Sequence, residues 1–146
     1  MAAFVATSIL LVGCSDGAMD IASPAPTGAA VTVCGALVRS APETVAGQGA
    51  REVSSDGVVL AWGVPPIVVR CGVSDAIGLT PSAPCYPVNG VGWYSEDLDE
   101  AYRFTTIGRQ VPIEVTVPDE YAPQGAALVD LASAVKDADP VVRRCV

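Results

Sequence analysis

Carboxylates are the groups of this chain best suited to acid–base chemistry or metal binding, because it has 16 Asp and Glu residues and no histidine. The run SEDLDE at 95–100 contains four of them. An EF-hand calcium loop has glycine at its sixth position and glutamate at its twelfth, and this run has neither in place. We therefore interpret the run as a solvated loop between two strands, and we expect no metal site and no cofactor.

A pair of carboxylates could also catalyse hydrolysis, and the candidate acids are Glu96, Asp97, Glu114 and Asp119. A glycoside hydrolase needs two acids at a suitable separation, one of them kept protonated by a dry pocket. Nothing in the sequence places two of these acids together. A serine hydrolase lacks its G-x-S-x-G turn here, and a cysteine protease lacks its histidine base. We expect that the protein is not an enzyme.

Tryptophan, tyrosine and arginine side chains form a second candidate constellation, which we call the aromatic–arginine surface. Arginines beside aromatic rings recognise carboxylates, phosphates or sugars. The members fall on neighbouring predicted strands: Trp62, Arg70, Trp93, Tyr102, Arg103 and Arg109. The alternative is that both tryptophans belong to the core and that each arginine pairs with a nearby acid.

The N-terminal thiol, Cys14, ends an uncharged apolar run from Ala2 to Gly13. That run is shorter than the ~20 residues of a membrane-spanning helix. Its last residues, LVGC, resemble the lipobox of bacterial lipoprotein signal peptides, which implies lipidation of Cys14 and cleavage after Gly13. The run lacks the Lys or Arg usual before such a segment. The alternative is a buried element in which Cys14 is a core residue.

The other four cysteines are Cys34, Cys71, Cys85 and Cys145. An even number outside the cytoplasm favours two disulfides, of which three connectivities are possible. We favour Cys34–Cys71 and Cys85–Cys145; the second would bridge the penultimate residue of a tail that we expect to fray. No C-x-x-C spacing supports a zinc or thioredoxin-like site.

The chain divides into three segments. Residues 1–13 are the predicted signal peptide, residues 14–28 a lipidated N-terminus and flexible tether rich in Ser, Ala, Pro and Gly, and residues 29–146 one globular domain. Fully stretched, the tether would reach about 45 Å. A hydrophobic content of 51% is ample for a core, whereas a formal charge of −8 argues against nucleic acid as a partner.

Two helices and about six short strands are predicted within the domain. Three- and four-residue spacing indicates a helix near 27–39 that ends before Pro42, and a second helix over 123–137. Residues 41–57 are interpreted as a loop. Strand patterns follow at 58–62, 67–73, 86–88, 91–94, 102–107 and 111–117, with Asn89-Gly90 predicting a tight hairpin. The fold class is α+β, a single small domain with an antiparallel sheet packed on one face by both helices.

Four of these segments together resemble the DUF3515 family, an actinobacterial family of unknown function found in predicted lipoproteins and membrane-anchored proteins. They are AWGVPPIVVRCGV at 61–73, VNGVGWY at 88–94, YRFTTIGR at 102–109 and IEVTVP at 113–118. The resemblance implies location and a compact α+β domain, and it supplies no activity and no catalytic residues. Within that family pattern, Cys34 and Cys71 look more typical than Cys85 and Cys145.

The leading hypothesis is a non-enzymatic binding domain anchored through lipidated Cys14 to the outer face of the cell membrane. Its partner would be an envelope protein or a wall or lipid component. The alternatives are a structural accessory subunit of a membrane complex and, third, a small envelope hydrolase.

Overall fold

The computed structural model describes residues 17–145. The predicted signal peptide, 1–13, and Cys14 lie outside the described residues, so their processing stays a prediction. Within the described range, no helix has the length and apolar character needed to cross a bilayer.

The first helix, α1 (Ala29–Ser40), confirms the spacing argument. Val33, Cys34 and Leu37 recur on one side and are the buried residues of this helix. The chain turns extended at Ala41, with ψ 133°, because the ring of a following proline disfavours helical backbone in the residue before it. The result is a helix with one apolar face.

Within residues 17–145, ten strands and a second helix complete the secondary structure. The strands are β1 (Met19–Asp20), β2 (Thr44–Val45), β3 (Gln48–Arg51), β4 (Val53–Ser54), β5 (Val58–Trp62), β6 (Ile67–Cys71), β7 (Tyr86–Val88), β8 (Val91–Leu98), β9 (Ala101–Ile107) and β10 (Ile113–Pro118). A 3-10 turn, Asp119–Tyr121, precedes α2 (Gly125–Ala138).

Eight of these strands form one antiparallel sheet in the order β2-β3-β5-β6-β10-β9-β8-β7. Both edge strands, β2 and β7, contact α2, and α1 contacts α2 and β5. The sheet therefore curls around the two helices, which share its inner face and enclose the core. The predicted α+β class is confirmed, with eight strands in the sheet in place of about six.

The segment 41–57, predicted as a loop, instead holds β2, β3 and β4. Ala46 (φ 48°) and Gly47 (φ 74°) form the turn between β2 and β3, and left-handed backbone at both central positions matches the twist of a two-residue hairpin. Alanine is rarely found there, so the sequence carried no turn signature at this position.

The acidic run 95–100 is also ordered differently from the prediction. Strands β8 and β9 stay paired to their ends, with Glu96 opposite Arg103 and Leu98 opposite Ala101. Only Asp99 and Glu100 form the turn. Opposite charges facing each other across the two strands favour this extended pairing over a solvated loop.

The segment predicted as a flexible tether, 14–28, is attached to the domain over part of its length. Strand β1 pairs in parallel with β4, placing Met19 beside Val53. The backbone carbonyl of Ala22 accepts a hydrogen bond from Arg70 Nη1 at 3.3 Å. From Met19 onwards the segment therefore lies along the domain, because its backbone groups find hydrogen-bond partners there.

Candidate functional site

Both tryptophans of the aromatic–arginine surface lie in the core. Trp62 is 1% exposed and Trp93 is fully buried. Trp62 lies opposite Ile67, on the inner face of the sheet, and its indole N–H donates to the carbonyl of Pro42 at 2.9 Å. The predicted surface is therefore wrong in these two members, because the strand register turns them towards the helices.

Two of its arginines lie together on the outer face of the sheet, each paired with an acid. Arg70 lies opposite Glu114 on the neighbouring strand and donates to Glu114 Oε1 through Nε at 2.9 Å and Nη2 at 2.6 Å. Arg103 lies opposite Glu96 and donates to both of its carboxylate oxygens at 3.0 and 3.1 Å. The hydrogen bond with Glu96 raises the pKa of Arg103 above its usual value. These arginines follow the alternative prediction, pairing with local acids.

Tyr102 is separated from its neighbour Arg103 because successive side chains of a strand point to opposite faces. Its hydroxyl donates to Asp97 Oδ2 at 3.2 Å, and its ring stacks on Phe104 with centroids 6.1 Å apart. The hydrogen bond to Asp97 raises the pKa of Tyr102. Tyr102 therefore does not join the arginines into one binding surface.

Arg109 occupies a different place, beyond the end of β9. Its Nη1 donates to the backbone carbonyl of Asp139 at 2.7 Å and its Nη2 to that of Gly90 at 3.0 Å. Unlike Arg70 and Arg103, it forms no salt bridge within residues 17–145. Carbonyl oxygens thus orient this guanidinium, and the buried carboxylate of Asp139 interacts with its charge from beyond salt-bridge distance.

The C-terminal segment, residues 139–145, lies against this region. The amides of Val142 and Arg143 both donate to the carbonyl of Gly108, at 2.8 and 3.0 Å. The Cys85–Cys145 disulfide, with Cα atoms 5.8 Å apart, fixes the end of the segment. Docking therefore carries Arg143 and Arg144 to the side of the molecule that holds Arg109.

Together these elements enclose a cleft of about 520 Å³, which we call the C-terminal cleft. Its lining is Pro87, Gly90, Gly92, Ile107, Arg109, Val141, Arg143, Arg144 and Cys145. Of the residues named from sequence, it contains Arg109 and Cys145. Arg143 and Arg144 were missed, because the tail was expected to fray; its one sequence signal was the pairing proposed for Cys145.

A buried carboxylate, Asp139, supports the base of this segment. It is fully buried and accepts backbone hydrogen bonds from Gln110 at 3.0 Å and Val111 at 3.3 Å. Burial raises its pKa, and the two amide donors and Arg109 act in the opposite direction. Asp139 thus ties the end of α2 to the β9–β10 connection beside the cleft.

The two disulfides join the pairs favoured from the sequence. Cys34 on α1 and Cys71 on β6 have Cα atoms 5.6 Å apart and are fully buried. This bond fastens a helix to the centre of the sheet, while Cys85–Cys145 fastens the tail. The described residues contain no group of three or more His, Cys, Asp or Glu side chains placed to hold a metal ion.

Comparison with known proteins yields a family and no activity. No curated protein matches the chain significantly. No solved structure matches it significantly either. A family model described as "Protein of unknown function (DUF3515)" matches residues 1–142. Since that match covers nearly the whole sequence, the chain belongs to the DUF3515 family.

Proposed function

We propose that this protein is a non-enzymatic binding domain, anchored by a lipid on Cys14 to the extracytoplasmic face of the cell membrane. The observation that carries the proposal is the pairing of the four cysteines after Cys14 into two disulfides. Disulfides persist in oxidising compartments and are rare in the cytosol. The lipobox LVGC supports the same location independently.

The binding role is supported by the C-terminal cleft, which is lined by three arginines: one lies beyond the end of β9 and two lie in the C-terminal segment. A disulfide and backbone hydrogen bonds hold that cleft in shape. A concave, positively charged site on a chain of net charge −8 is suited to recognising an anionic group.

Two of the four candidate acids have structural partners, which argues against a catalytic pair formed by them. Glu114 and Glu96 are each hydrogen-bonded to a guanidinium, and neither lines the C-terminal cleft. Both glutamates form ion pairs on the outer face of the sheet, where they stabilise the pairing of neighbouring strands.

Cell fractionation and intact-mass measurement of the full chain test the anchor. We expect the wild-type protein in the membrane fraction, without residues 1–13 and with acyl mass on Cys14. The Cys14→Ser variant should lose that mass and the membrane association, whereas the matched Ser15→Ala variant should retain both. An uncut wild-type chain without acyl mass, recovered from the cytosol, would refute the proposed location.

Crosslinking in intact cells then tests the binding role. Recovery of the protein with a small ligand or an envelope component, dependent on the cleft arginines, would support it. Recovery of one stoichiometric membrane protein, independent of those arginines, would instead favour the accessory-subunit alternative.

A further inference from the structure

We propose that the C-terminal cleft binds a phosphate group, with Arg109, Arg143 and Arg144 as its ligands. This inference deepens the proposed binding function and rests on it for its biological role. The binding itself requires no acyl anchor, so either proposal can fail without the other.

The charge distribution is the first support. The whole chain has only eight Lys and Arg residues against 16 acids, yet three of those eight line this one cleft. Lys136 lies close by, since its Cδ is 3.6 Å from the Cβ position of Gly90, another lining residue. A local concentration of cations on an acidic protein attracts a small anion, while the surrounding charge repels extended anionic surfaces.

The hydrogen-bonding capacity of the arginines is the second support. Within residues 17–145, none of the three forms a salt bridge. A guanidinium has five N–H donors, and two of those of Arg109 are used on carbonyl oxygens, which leaves three. Arg109 is half-buried and held, while Arg143 and Arg144 are exposed. One fixed guanidinium and two adaptable ones thus adjoin the same space.

The number of charges favours phosphate over carboxylate. A phosphate monoester carries about −1.5 to −2 charges at neutral pH and three acceptor oxygens, whereas a carboxylate carries one charge and two oxygens. Three arginines match the larger demand. A neighbouring cavity of about 310 Å³ contains Arg109 and Arg143 but also Asp75, whose carboxylate disfavours an anion there. We therefore place the phosphate in the C-terminal cleft.

The site depends on the docked tail. Cys145 follows Arg144 directly, and its bond to Cys85 sets where both arginines lie. A Cβ on Gly108 would overlap the carbonyl oxygen of Arg143, so only glycine allows the tail to pack this closely. Opening the disulfide should therefore release two of the three ligands.

Calorimetric titration of the oxidised full-length chain in a non-ionic detergent is the test. The probes are inorganic phosphate, glycerol 3-phosphate, acetate, and mixed micelles with or without phosphatidic acid. We expect saturable binding of a phosphate-bearing probe. Loss of one charge-assisted contact should weaken it about tenfold to a hundredfold in Arg143→Gln, and likewise in Arg144→Gln. The Cys85→Ser/Cys145→Ser variant should bind more weakly than either, because it releases both arginines of the C-terminal segment.

Arg39→Gln is the matched control, because Arg39 is an exposed arginine in the last turn of α1 and lies outside the cleft. It should bind phosphate like the wild type. Arg109→Lys should bind less tightly, since lysine keeps the charge but loses the forked geometry. Circular dichroism of each variant checks that the fold is retained.

Binding of free phosphate would assign a soluble ligand, and binding only of phosphatidic acid micelles a lipid headgroup; both outcomes support the site. No saturable binding to any phosphate probe would overturn the proposal. So would acetate binding as tight as phosphate, or an Arg39→Gln variant that loses as much affinity as Arg143→Gln.

Discussion

Replacing Cys34 and Cys71 together with alanine removes the cross-link between α1 and β6. The two cysteines are 37 residues apart in the chain, and both are fully buried in the core. The substitution therefore acts in two places. It frees a long loop in the unfolded chain, and it removes two sulfur atoms from the packed interior of the folded one.

The unfolded-state effect sets the magnitude. For a loop of this length the chain-entropy treatment gives roughly 4 kcal/mol, and the space left by the two sulfurs adds about 1 kcal/mol. Small domains have a free energy of unfolding of about 5–15 kcal/mol. We therefore expect Cys34→Ala/Cys71→Ala to lose a third or more of the total stability, and to be marginally folded if the domain lies near the lower end of that range.

Urea unfolding followed by tryptophan fluorescence measures this loss, because Trp62 and Trp93 are buried and become exposed on unfolding. The midpoint should fall, and the m-value should rise, since the uncrosslinked denatured chain exposes more surface. The control is the Cys85→Ser/Cys145→Ser protein, in which added reductant opens only Cys34–Cys71 and should reproduce the unfolded-state part of the loss, roughly 4 kcal/mol. A midpoint unmoved by reductant in that protein would refute the reasoning.

Three further predictions concern the ion pairs of Glu114, the buried carboxyl of Asp139 and the packing of the C-terminal segment. Glu114→Gln should lower the free energy of unfolding by about 1–2 kcal/mol, because the arginine partners of Glu114 are only about one-third exposed. Urea unfolding measures this loss, and an equal loss in Glu96→Gln, whose carboxylate is more exposed, would contradict the prediction. The pKa of Asp139 is raised, so the folded state favours its protonated form. The stability of wild type relative to Asp139→Asn should therefore be greatest at acidic pH and should decrease as the pH rises through that raised pKa. Denaturation curves at several pH values measure this difference, and an increase with pH would contradict the prediction. Gly108→Ala, at φ 68° and against the Arg143 carbonyl, should abolish hydrogen-exchange protection of the Arg143 amide; unchanged protection would show that the tail does not pack there.

The elements that could be predicted from the sequence are those whose conformation is determined by residues close together in the chain. Helix α1 follows from apolar spacing and a proline that ends it, and Asn89-Gly90, with φ 47° and 84°, forms the hairpin that this dipeptide favours. Strands β2 and β3 escaped prediction because their turn uses Ala46 in a conformation that alanine rarely adopts. That turn also depends on a distant contact, because the Ala46 amide donates to Asp130 Oδ2 on α2 at 2.8 Å, and no local pattern predicts this contact.

The site was predicted only in part, for the same reason. Strand alternation separates Tyr102 from Arg103 and could be read from the sequence. The burial of Trp62 opposite Ile67 depends on register. Arg143 and Arg144 matter only because a bond to Cys85, 60 residues before Cys145, returns the tail to the sheet. No local pattern records that return.

The pairing of β1 with β4 shortens the part of the chain that can act as a tether. With the proposed acyl group on Cys14, only five residue steps separate the lipid from Met19, which is held against Val53. At ~3.3 Å per step that is a reach of about 17 Å. If Cys14 carries the proposed lipid, this short connection restricts how the domain can rotate, so that the side holding β1 and β4 faces the bilayer and the opposite side faces away from it.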